Sequence, residues 1–278
     1  MTTSASTART GDGLVRRYRY GPERDHFGDL YLPAGAGPHP VALVIHGGCW
    51  RAYWQLDLMD SLCRDLASRG IAAWNVEYRR LGQGGGWPMS LIDVGAATDL
   101  LDLLSARYPL DLGRLVAIGH SAGGHLALWA AARHRLDPGA PGSDPVVRVS
   151  SVLVLAGISD LREGFRQGTC DHAVYELLGG EPDSLPDRYA HASPAELLPL
   201  GVPQVLVHGS ADEDVDPSIT DGYASLARAS GDEVIDVRLE GFNHFDVIDP
   251  KSPIWHAALD AVPSFAAPSD FAVPADPE

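Results

Sequence analysis

Gly119-His120-Ser121-Ala122-Gly123 is the stretch of this chain best suited to covalent chemistry. The apolar run Leu115-Val116-Ala117-Ile118 leads into it, and a helical stretch from Gly124 to His134 follows. A serine between two glycines in that setting predicts a strand, a sharp turn and a helix, with the hydroxyl standing clear of the sheet. Glycine is needed two residues either side because a Cβ there would keep strand and helix apart. A hydroxyl is a poor nucleophile near neutral pH and needs a base within hydrogen-bond reach. Of eleven histidines, His244 is placed best, in the short polar loop Gly241-Phe242-Asn243-His244-Phe245 between the last strand and the last helix. An imidazole base needs a carboxylate to hold its tautomer. His208-Gly209-Ser210-Ala211-Asp212-Glu213-Asp214-Val215-Asp216 supplies several, and Asp212 is preferred because the chain first turns over the sheet edge there. Asp214 and Asp216 stand behind it, and Asp160 further off.

Acyl chemistry on a serine also needs backbone N–H groups aimed at the developing oxyanion. Ala122, the residue after the serine, offers one. His46-Gly47-Gly48-Cys49-Trp50 offers others, Gly48 and Cys49 first and Gly47 next, since paired glycines permit turns that point successive N–H groups at one spot. His46 is read as a brace for this loop, and His120 and His125 as packing beside the serine. Cys49 has nothing basic near it in sequence to activate it as a nucleophile. The aromatics Trp50, Tyr53, Trp54 and Trp87, with Phe165 and Tyr175, are candidates for a pocket suited to a flat apolar group. Asp212, Asp214 and Asp216 alternate like a calcium loop. That loop needs glycine where Pro217 stands and glutamate where Tyr223 stands, so no metal is expected.

The elements that must position these residues follow from hydrophobic patterning. Leu14–Tyr20 and His26–Leu32 form a hairpin around Gly21-Pro22. Val41–Ile45, Ile71–Val76, Leu115–Ile118, Val149–Leu155, Pro203–Val207 and Val234–Leu239 are strands. Helices are expected over Leu56–Arg69, Ser90–Arg107, Gly124–His134, Pro217–Ala229 and Pro253–Val262, the second starting on a Ser90/Asp93 capping box. Continuous apolar strands alternating with helices predict a mostly parallel sheet covered on both faces. Each chemical motif follows a strand, where such sheets bind ligands. Residues 1–13 read as a disordered arm, 14–262 as one domain with an insertion over about 160–200, and 263–278 as a flexible tail.

A formal charge of −16 argues against nucleic acid or an anionic membrane as partner. Three scattered cysteines form no framework and no metal pair, which points to a reducing, cytoplasmic location. No secretory signal or membrane span is visible. Oligomeric state is left open, a homodimer included.

On the His46–Trp50 loop, the Gly119–Leu126 elbow, the Asp212 region and His244, taken in order, residues 14–262 resemble an α/β-hydrolase. Within that superfamily the HGGxW loop and GHSAGxHL elbow are similar to those of the kynurenine formamidase (arylformamidase) group. The hormone-sensitive-lipase-like esterases are also similar, but their loop reads HGGG where this chain has Cys49. The resemblance implies an eight-stranded, mostly parallel sheet with a small cap over about 160–200, Ser121 as nucleophile, Asp212 as acid and His244 as base. The expected activity is cofactor-free hydrolysis of an N-formyl arylamine through an acyl-enzyme. A short-chain carboxylesterase, a peptidase or amidase, and a non-catalytic ligand-binding protein are the alternatives.

Overall fold

The computed structural model describes residues 6–10 and 13–265. Ser6–Thr10 (β1), Gly13–Arg19 (β2) and Phe27–Leu32 (β3) run antiparallel to one another. His39–Ile45 (β4), Asp60–Ser68 (α1), Ala72–Val76 (β5), Met89–Ser105 (α2), Leu110–His120 (β6), Ala122–Ala132 (α3) and Ser151–Leu155 (β7) follow. Next come three short helices, Leu161–Arg166 (α4), Thr169–Leu178 (α5) and Pro186–Ala192 (α6). Gln204–Gly209 (β8), Pro217–Ala229 (α7), Val234–Leu239 (β9) and Pro253–Asp260 (α8) complete the order.

The strands form one sheet in the order β1-β2-β3-β5-β4-β6-β7-β8-β9, parallel from β5 onward. The eight strands from Gly13 make the expected sheet, and Ser6–Thr10 adds a ninth on the β2 edge in place of the disordered arm. Residues 1–5 and 11–12 of that arm, and 266–278 of the expected tail, lie outside the described residues.

Side chains alternate faces along a strand, so β4 feeds two cores. Val41, Leu43 and Ile45 face α2, α3 and α7, whereas Ala42 and Val44 face α1 and α8. Helices therefore cover both faces, and the carboxyl ends of β4, β6 and β8 and the loop after β9 are brought to one edge. Helix α2 starts differently from expectation. Its N-cap is Pro88, and Ser90 and Asp93 are drawn to Arg79 instead. The Ser90 hydroxyl donates to Arg79 O, and Asp93 accepts from Arg79 N (2.9 Å) and Arg79 Nε (2.8 Å). For the buried Asp93, a charged partner outweighs a local cap.

Candidate active site

Ser121 sits between the last residue of β6 and the first of α3, with φ 55° and ψ −121°. This is costly backbone for a residue with a Cβ, of the order of 1–3 kcal/mol. Hydrogen bonds hold it there: Ser121 N donates to Leu155 O at the end of β7 (2.9 Å), and Gly124 N donates to Ser121 O (2.9 Å). The flanking glycines are required by close approach. A Cβ on Gly119 would lie 2.0 Å from Gly123 O, and one on Gly123 would lie 2.2 Å from Ile45 O. The Ser121 hydroxyl has no hydrogen-bond partner among the described residues, and it lines a cavity that His244 also lines.

His244 Nδ1 donates to Asp212 Oδ2 at 2.7 Å. His208 Nε2 donates to the same oxygen at 2.9 Å, while Asp212 Oδ1 accepts from Asp214 N and Val215 N, each at 2.9 Å. Burial alone would raise the Asp212 pKa. The hydrogen bonds from His208 and His244 outweigh it and hold the carboxyl well below the usual range. An ionised carboxylate only accepts, so the His244 proton resides on Nδ1 and Nε2 is left as an acceptor. The other carboxylates are occupied elsewhere. Asp216 caps α7 through Ser218 N (2.8 Å), and Asp160 caps α4 through Arg162 N (2.9 Å). Asp212, Asp214 and His244 bring ligand atoms within 4.8 Å of one another, but the Asp212–His244 hydrogen bond already uses two of those donors.

His120 anchors the loop that carries His244: its Nε2 donates to His244 O at 2.9 Å. Burial, reinforced by the neighbouring His244, pushes the His120 pKa down to about 3. His125 is likewise pushed down to about 4 by burial, with Nε2 donating to Ala192 O at 2.9 Å. Both side chains are thus held neutral, as packing groups. The linkage has a definite sign. Below the unfolded value near 6.5 the unfolded chain binds protons that these two native imidazoles refuse. Their contribution to stability is whole above that pH and is lost as pH falls towards the native values. Each costs about 1.4 kcal/mol per pH unit in that window. On lowering pH from 7 to 5, wild type should lose about 2 kcal/mol more than His120→Asn in urea-unfolding free energy. Equal losses would contradict the burial argument.

The loop after β4 is built on His46, which is fully buried. Its Nδ1 donates to Gly47 O (2.8 Å) and its Nε2 to Glu77 Oε1 (2.9 Å), and the ring stacks on Tyr78 at 4.5 Å. Glu77 also accepts from Leu56 N and Tyr78 N, so one buried carboxylate ties down the whole turn. Gly48 has φ 104°, and a Cβ there would lie 2.3 Å from Trp54 Cβ. Cys49 and Trp50 follow at φ 55° and 54°. Among the described residues the N–H groups of Gly48 and Cys49 donate to nothing, and both residues line the cavity. Ala122 N, at the first turn of α3, lies outside the i−4 ladder.

One expectation is overturned here. Cys49 and Cys170 form a disulfide across 121 residues, with Cα atoms 5.7 Å apart, leaving Cys63 as a buried free thiol. Sequence spacing carries no trace of this pair, because only the docking of α5 over the loop brings Cys170 within reach. The inference of a reducing location from the cysteines loses its basis. Among the described residues, no helix is long and apolar enough to cross a membrane.

The cavity holds about 990 Å³. Tyr53 and Trp54 line it, as does Phe245, which the aromatic candidates omitted although it adjoins His244 in sequence. Trp50, Trp87, Phe165 and Tyr175 do not line it. Trp50 is fully buried and donates from Nε1 to His125 Nδ1 (3.3 Å). Trp87 and Phe165 pack against the α2/α3 core, and Tyr175 faces a separate surface depression beside Gly179 and Glu181. The segment 166–171, which carries Cys170, forms one wall. Its signal was hidden because Cys170, Asp171 and His172 are left-handed, which interrupts any helical period. Glu213, Asp214 and Asp216 also line the cavity. With Asp171 these make four carboxylates in no ion pair among the described residues, whereas both lining arginines are paired, Arg51 with Glu176 and Arg166 with Glu163.

A family model described as BD-FAE matches residues 28–223, well over half the chain. A probable isoprenylcysteine alpha-carbonyl methylesterase of Oryza sativa subsp. japonica is 27% identical over 252 residues, which cover 84% of this chain and 58% of that protein. The chain thus spans little more than half the length of the curated relatives it matches across most of its own. Esterase LipI of Mycobacterium tuberculosis is 37% identical over 103 residues, covering 37% of this chain and 31% of LipI. Among solved structures, esterase B of Lactobacillus rhamnosis superposes with a TM-score of 0.77 at 21% identity, over 95% of this chain and 85% of that one. That superposition agrees with the α/β-hydrolase fold of the sheet described above.

Proposed function

The chain belongs to the BD-FAE family, and from that premise and the site geometry we propose that it is a serine carboxylesterase. The observation that carries this reading is the 2.7 Å hydrogen bond from His244 Nδ1 to Asp212, beside a cavity lined by both His244 and Ser121. Ser121 Oγ attacks the acyl carbonyl and His244 Nε2 takes its proton. Asp212 holds the tautomer and stabilises the imidazolium that forms. The oxyanion is received by the N–H groups of Gly48, Cys49 and Ala122. The tetrahedral intermediate collapses as His244 returns the proton to the leaving alcohol. Water, deprotonated by the same imidazole, then releases the acid.

Ester is preferred to N-formyl arylamine for two reasons. The relatives matched across most of this chain are named as methylesterases, and LipI as an esterase. Four of the six aromatics that favoured an arylamine pocket are away from the cavity. Tyr53, Trp54 and Phe245 remain as an apolar shelf for one end of the substrate, and the four unpaired carboxylates favour neutral or cationic esters over anionic ones. Side-by-side assays of p-nitrophenyl acetate and N-formylkynurenine test the choice. The expected kcat/KM favours the ester by at least about 100-fold. A faster rate on the formamide would reverse the assignment to a formamidase.

A further inference from the structure

Two segments that line the cavity and meet at the disulfide depart from ordinary backbone. Cys49 and Trp50 have φ 55° and 54°; Cys170, Asp171 and His172 have φ 59°, 51° and 61°. Residues with a Cβ persist in the left-handed region only when the surroundings over-determine them. The covalent link joins the first residue of each run, Cys49 to Cys170. Arg51 adds a second tie, donating to both carboxylate oxygens of Glu176 in α5 at 2.9 and 2.8 Å. Trp50 O accepts from Leu81 N at 2.7 Å. Arg51 N also donates to Gly48 O at 2.9 Å and closes the turn that contains Cys49 and Trp50, and the disulfide is the side-chain tie on that turn at Cys49 itself. Of the two loop residues that line the cavity with unbonded N–H groups, Gly48 takes its φ without steric cost, and Cys49 does not.

We propose that Cys170 is a positioning residue for hydrolysis. Its disulfide holds Cys49 in the left-handed conformation that presents the Cys49 N–H to the acyl oxygen, so turnover depends on this pair being oxidised. This rests on the reading of Ser121 as nucleophile. Both cysteines are half-buried and line the cavity, within reach of a small dithiol, while Cys63 is fully buried.

The full-length protein is assayed on p-nitrophenyl acetate before and after treatment with dithiothreitol. The reagent's two thiols close to its cyclic disulfide, and Cys49 and Cys170 each gain one electron and one proton to become thiols. Thiol titration in denaturant then rises from one group to all three cysteines. Loss of a single oxyanion donor lowers kcat by about 10²–10³. Reduction, which loosens one of three donors, is expected to lower kcat at least about tenfold with KM changed less than about twofold. Reoxidation with oxidised glutathione restores kcat. Cys170→Ser shows the same loss and no further response to dithiothreitol. Three free thiols with unchanged kcat overturn the proposal. So does a loss of native circular dichroism on reduction, or an effect confined to KM, since either makes the disulfide a fold staple. An oxidised wild type without ester turnover, or Ser121→Ala with turnover intact, removes the underlying reading before any reductant is added, and this proposal with it.

Discussion

Replacing Ser121 with alanine is expected to reduce ester turnover by about 10⁴–10⁶-fold while the protein stays folded. The proposed mechanism passes through one hydroxyl, and His244 cannot substitute for it. What survives is the modest acceleration from the oxyanion donors and substrate binding. Folding should be spared for three reasons. The hydroxyl has no hydrogen-bond partner among the described residues, so its removal orphans no other group. Serine and alanine meet the same backbone demand at φ 55°. The hydrogen bonds that hold the elbow, Ser121 N to Leu155 O and Gly124 N to Ser121 O, use main-chain atoms only. Urea-unfolding free energies of the two proteins should agree within about 1 kcal/mol. More than a trace of activity in the variant would defeat the assignment.

Asp212→Asn should cost about 10⁴-fold in kcat. The amide nitrogen cannot accept from His244 Nδ1. An asparagine that turns its NH₂ towards the ring stabilises the tautomer with the proton on Nε2, where it cannot take the serine proton. An asparagine that turns its oxygen there must point its NH₂ at the N–H groups of Asp214 and Val215, two donors facing two more. Either orientation breaks part of a four-bond arrangement that holds the native carboxylate ionised. Steady-state kinetics on Asp212→Asn and Asp214→Asn separate the carboxylates. The first should be crippled, and the second should stay within about threefold of wild type, because the Asp214 carboxylate makes no hydrogen bond to His244. A crippled Asp214→Asn with an active Asp212→Asn would move the acid by two residues.

Much of this was legible in the chain because local rules and tertiary demands agree. The apolar runs of β4 to β8 admit only strands buried on both faces, and alternation with helices then dictates the sheet. Gly119 and Gly123 mark a contact so close that a Cβ is impossible, which is why the elbow could be read from five residues. Asp212 was separable from Asp214 and Asp216 only by its place at the turn. The structure adds the reason: Asp216 is spent on a helix cap and Asp214 contributes its N–H. What was hidden depends on distant parts of the chain meeting. The Cys49–Cys170 disulfide spans 121 residues, and its partner segment has no periodicity to read because three of its residues are left-handed. The pocket aromatics failed for a related reason. Proximity in sequence to a site loop says nothing of which way a side chain faces. Trp50 follows Cys49 directly yet points into the core towards His125, whereas Tyr53 and Trp54 face the cavity. Ser90 and Asp93 matched a cap pattern, but the Arg79 carbonyl had the stronger claim on Ser90 and the Arg79 guanidinium on Asp93.

The nucleophile is the centre of this account, and the adduct it forms is its most direct measure. Wild-type protein treated with a fluorophosphonate should gain the mass of one phosphonyl group, located by peptide mapping on Ser121, with ester turnover lost in proportion. Ser121→Ala should gain none. A labelled peptide that lacks Ser121, or an unlabelled wild type that still hydrolyses the ester, would contradict the account.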